Sequence, residues 1–135
     1  MATFIILPAI AFGLILAAIE LAFLMQDEGG MHPMTHAAHA IPSMLIFTFI
    51  AFNISWALSL FKIQDSLWID IGARVLIGII AMVKVKAAAS ITGRGGVGES
   101  WTHTFIIGIL MMAGPFIWIE AGLGAIITKQ FPWLK

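Results

Sequence analysis

Residues 4–25 read FIILPAIAFGLILAAIELAFLM, an unbroken apolar stretch with a single charge, Glu20. A helix needs about 20 apolar residues to cross the hydrocarbon core of a bilayer. The stretch therefore predicts a membrane-spanning helix. Working outward, three more runs of similar length follow at residues 41–61, 68–91 and 101–128. The expected fold is all-α: a four-helix transmembrane bundle, with residues 1–135 forming a single integral membrane domain. The chain opens Met1-Ala2-Thr3 without a basic segment or a small-residue cleavage site, so the first span is expected to be retained rather than removed as a signal peptide.

Composition agrees with that class. Hydrophobic residues make up 61% of the chain and charged ones 10%, with a mean hydropathy of +1.04, all unlike a soluble domain. Formal net charge is zero and there is no basic tract, which disfavours nucleic acid as a partner. The absence of cysteine excludes disulfides, thiolate metal sites and a cysteine nucleophile.

Charge sets the expected orientation. With four spans, the connection at 62–74 lies on the same side as both termini. That side carries Lys62, Arg74, Lys129 and Lys135, and the other carries only Arg94. Loops rich in lysine and arginine stay inside, so both termini are expected in the cytoplasm, in a protein of the cell membrane. Trp56, Trp68, Trp101 and Trp133 fall near the ends of the runs, where aromatic belts form.

A partial self-similarity runs through the chain. Gly29-Gly30 with Thr35-His36, and Gly95-Gly96 with Thr102-His103, align at an offset of 66 to 67 residues. That offset sets Glu20 opposite Lys86 and Asn53 opposite Glu120. One reading is a parallel 2+2 repeat of helix hairpins, as in some transporter folds. The other is chance, because these dipeptides are common and apolar helices align readily.

Ionisable side chains inside a membrane cost about 2.5–3.5 kcal/mol each on insertion scales and need partners or water. At 1.5 Å per residue, Glu20 and Lys86 lie ~7–8 Å from the outer ends of their spans, with Lys84 deeper. Asn53, Arg74 and Glu120 lie roughly 9–12 Å from the cytoplasmic side. The expected pairs are Glu20 with Lys84 or Lys86, and Glu120 with Arg74. Lys84 and Lys86 stand about 200° apart around a helix, so one carboxylate does not serve both. The second lysine then calls for water, lipid or another chain. Ala9, Gly13 and Ala17 form a small-residue stripe leading to Glu20, and Gly122, Gly124 and Ala125 do the same late in the fourth span. Gly114-Pro115 predicts a kink there.

The outer connection holds Met31-His32-Pro33-Met34-Thr35-His36-Ala37-Ala38-His39. Pro33 suits a helix start and Thr35 a cap. His36 and His39 are spaced i, i+3, and His103 opens the fourth span at the same depth. Imidazoles from His32, His36, His39 and His103 would suit copper or zinc, and the methionines Cu(I). The blander alternative is interfacial capping, since the spacing is no recognised zinc signature. His39, Ser43 and Asn53 fall near one helix face. The connection at 92–99 is glycine-rich but not a phosphate loop, with Glu99 placed to cap the fourth span.

Small multidrug resistance transporters are similar in having four short spans and an acidic residue in the first, as Glu20 is here. This chain is longer, has a marked charge bias, and carries two lysines and a helix proline, so their mechanism is not carried over. In type it is also similar to helical accessory subunits of respiratory or copper-dependent monooxygenase complexes. Three functions follow as expectations. The first is a non-catalytic subunit of a larger membrane complex, with no activity of its own and other subunits or copies as partners within the lipid bilayer. The second is a small transporter or channel using Glu20 and Glu120. The third is an outer-face copper- or zinc-binding protein.

Overall fold

The computed structural model describes residues 4–27, 33–64, 66–92 and 100–134. Among these the chain is all-helical. The α-helices are α1 (Leu7–Asp27), α2 (Pro33–Phe52), α3 (Ile54–Leu60), α4 (Leu67–Thr92), α5 (Trp101–Ile119) and α6 (Leu123–Gln130), followed by a short 3-10 turn at Pro132–Leu134. The order runs long, long, short, twice over. Three helices, Leu7–Asp27, Met34–Phe52 and Trp101–Ile119, are long and apolar enough to cross a membrane. The fourth long helix, α4, has 26 residues, but Asp70, Arg74, Lys84 and Lys86 interrupt its apolar character.

The long helices pair as two hairpins. α1 packs most extensively on α2 and α4 on α5, while α1 and α2 both also reach α5, and α2 reaches α4. The small-residue stripe faces inward as its spacing requires: Ala9, Gly13 and Ala17 are buried together with Phe12, Leu16, Glu20 and Leu24. A Cβ on Gly13 would press on Leu45, so the missing side chain lets α1 and α2 close. The second hairpin uses a reciprocal device. The space above Gly78 of α4 is filled by Met112, and that above Gly108 of α5 by Met82. Met44, Ile107, Met111, Phe52 and Trp118 complete the core.

Outward faces are apolar. Ile10, Leu14, Ile46, Leu76, Val83, Ile109 and Phe116 are all exposed. So much exposed apolar surface on helices of this length suits lipid rather than water.

Three expected boundaries move. The second run, expected as one helix over 41–61, starts earlier at Pro33 and breaks at Asn53, whose side chain is drawn into other hydrogen bonds. Thr35 lies within the first turn of α2 rather than capping it. The fourth run, expected over 101–128, passes through Pro115 and ends at Ile119. Its stop is set five residues past the proline. Glu120 N and Ala121 N both close on the carbonyl of Phe116, at 2.8 and 3.0 Å, and Gly122 takes the left-handed φ of 79° that glycine tolerates. Gly122 is therefore a turn former, whereas Gly124 packs tightly against Trp118. Ser100, rather than Glu99, caps α5, its Oγ accepting from His103 N at 3.2 Å. Glu99 lies outside the described residues.

Candidate functional site

Polar side chains gather at two levels of the helix assembly. At the level of the α1 C-terminus, α4 brings Lys84 against α2. Lys84 Nζ donates to Ser43 Oγ and, at 3.3 Å, to the carbonyl of His39. Ser43 Oγ in turn donates to the same carbonyl at 2.5 Å. Pro42, inside α2, has no N–H to donate to the carbonyl of Ala38, the residue before His39. Glu20, buried on α1, acts on the Lys84 ammonium through space. Glu20 on α1 and Lys84 on α4 thus both lie beside α2, which packs on each of those helices.

Lys86, two residues on, turns to α5 and stands 5.0 Å over the Trp101 ring, a cation–π geometry. The two lysines do face different neighbours, as their spacing requires. Both are engaged within the chain.

The end of α1 is tied to the start of α5. Asp27 Oδ2 accepts from His103 Nδ1 at 2.7 Å and from Ser100 N at 2.8 Å. The His103 ring stacks on Phe23, with centroids 4.1 Å apart and planes at 3°. Thr104 Oγ1 donates back to the Ser100 carbonyl at 3.1 Å.

At the other level Asn53 holds the chain's first described residues. Its Oδ1 accepts from Ile5 N at 2.7 Å, and its Nδ2 donates to Ile5 O at 3.2 Å and Phe49 O at 2.9 Å. Phe4 packs with Phe49 and Trp56 around this junction. Arg74 makes a bidentate pair with Asp70, Nε and Nη2 donating at 2.7 and 2.9 Å, and Nη1 donates to the carbonyl of Ala51. The expected pairing of Arg74 with Glu120 is therefore corrected. Glu120 sits exposed at the C-terminal cap of α5, and the partner of Arg74 is one turn back on its own helix. An Asp at i and an Arg at i+4 was the available signal.

The described histidines are not brought to one point. His36 is buried on α2, His39 is exposed, and His103 is held by Asp27. His32 lies outside the described residues, as does the glycine-rich stretch at 93–98. Among the described residues no three His, Asp or Glu side chains are grouped to hold a metal ion.

Comparisons with protein-family models, with curated proteins and with solved structures find no match to the chain.

Proposed function

We propose that this chain is a four-span membrane protein, with α4 as the fourth span, and that it serves as a non-catalytic, structural subunit of a membrane assembly. One observation carries the reading: its polar side chains are used to join segments. Lys84 and Ser43 link α4 to α2. Asp27 and His103 link α1 to α5, Asn53 links the segment before α1 to α2, and Arg74 links α4 to α2. Such pins let α4 carry its charges inside the bilayer, since each is met by an internal acceptor, ring or opposite charge. What the molecule then presents outward is apolar surface for lipid and neighbouring chains. Both termini face the cytoplasm on this account. The repeated long-long-short order, with Asn53 and Glu120 at the two breaks, supports a parallel duplication of one hairpin.

A second reading, a small transporter or channel, is favoured by Glu20 alone. A buried carboxylate near a lysine between three helices is the usual setting for ion or proton passage. Purification from native membranes in mild detergent, followed by native mass spectrometry, separates the two. A subunit emerges with other proteins at fixed stoichiometry. A homo-oligomer that moves protons or cations in liposomes, and loses that flux in Glu20→Gln, would establish the second reading instead.

A further inference from the structure

A groove of about 720 Å³ opens along α2, α3 and α4. Its walls include Phe49, Ile50, Ala57, Phe61, Leu76 and Ile80, and every lining side chain is hydrocarbon or aromatic. The indole N–H of Trp56 is the one polar group among them. Pockets that recognise drug-like ligands or cofactors of this size, about 300–1,000 Å³, carry a few placed polar groups as well. This one has almost none, so its occupant is an apolar chain without a head group inside the groove.

A partner helix fits poorly. Helices associate in membranes through small residues that let backbones approach. The chain's own hairpins do this, at Gly13 and at Gly78 with Gly108. The groove is walled by large side chains, with only Ala57 and Ala73 as small as alanine.

One basic residue stands between lining residues in the sequence. Phe61 and Ile63 both line the groove, and between them stands Lys62, exposed and in the left-handed backbone region at φ 57°. The turn is fixed by Lys62 N donating to Ser59 O at 3.0 Å and Ile63 N to Leu58 O at 3.1 Å. An exposed lysine flanked in sequence by two residues of a hydrocarbon groove is complementary to one common amphiphile.

We propose that the groove holds an acyl chain of an anionic phospholipid whose phosphate head group meets Lys62. The proposal rests on the reading of the chain as a membrane protein. It also agrees with the orientation that puts Lys62 on the cytoplasmic side, where anionic lipids concentrate.

The test uses the full chain purified in detergent, delipidated, and titrated with phosphatidylglycerol or phosphatidylcholine of identical acyl chains under native mass spectrometry. Wild type should retain phosphatidylglycerol preferentially. Lys62→Gln should weaken that retention about fivefold and leave phosphatidylcholine unchanged, the effect of one basic residue near an anionic head group. Ala57→Trp, which fills the groove, should reduce retention of both lipids. Equal retention of the two lipids by wild type would overturn the proposal, as would indifference to Ala57→Trp. Cross-linking from position 57 in native membranes to a protein chain instead of lipid would also overturn it. Recovery of the chain in the aqueous fraction of lysed cells would instead defeat the membrane reading beneath it.

Discussion

Lys84 is the residue on which the interior turns. An ammonium on a helix in a membrane is costly when bare, and here Ser43 and the His39 carbonyl both accept from it. Removing one of two interacting charges leaves the other without its counterpart. Glu20→Gln and Lys84→Met should therefore each lower thermal stability in detergent, and the double variant should lose much less than the sum. Additive losses in that double-mutant cycle would show that the two charges do not interact. Asn53 offers a second test. Asn53→Leu removes three hydrogen bonds and strands the Ile5 N–H and carbonyl, so a loss of about 1–3 kcal/mol is expected. Chemical unfolding read by tryptophan fluorescence would report it, and an unchanged midpoint would contradict the role given to Asn53. Depth counting along the sequence placed Glu20, Lys84 and Lys86 together at one level. It missed that Arg74 would choose Asp70 over Glu120, because depth says nothing of which way a helix is turned. A local i, i+4 partner costs no interhelical geometry, and it was there to be read.

Between helices the second hairpin depends on glycine. Met82 fills the space above Gly108, and Met112 the space above Gly78. Gly108→Leu should force α4 and α5 apart at a cost of about 1–3 kcal/mol, typical of overpacking. Adding Met82→Ala should restore part of that loss, since it vacates the contested volume. A thermal-shift series on the two single variants and the double would show it, and no recovery in the double would place the strain elsewhere. The inward stripe of Ala9, Gly13 and Ala17 was legible because small residues one turn apart announce a close helix contact. The breaks at Asn53 and Glu120–Gly122 were not. A proline such as Pro115 signals an interruption, but α5 runs through it, and the actual stop came at Glu120 and the left-handed Gly122, seven residues past the proline. Likewise Pro42 sits inside α2 without ending it.

At the scale of the whole molecule, the length and polarity of the four runs announced an all-helical membrane protein, while the placement of the histidines was beyond the sequence. Imidazoles at i and i+3 lie about 60° short of a full turn, and here His36 is buried while His39 is exposed. The central claim is that α4 crosses the bilayer despite its charges, because the helix assembly meets them from within. Its most direct test is the accessibility of single cysteines in intact cells, in a chain that has none of its own. Substitutions Gly30→Cys, Gln64→Cys, Gly96→Cys and Lys129→Cys probe each connection and the tail with a membrane-impermeant thiol reagent. The four-span account predicts labelling at 30 and 96 from outside, and at 64 and 129 only after the membrane is opened. Residues 64 and 96 reacting from the same side would show that α4 does not cross, and would contradict the account.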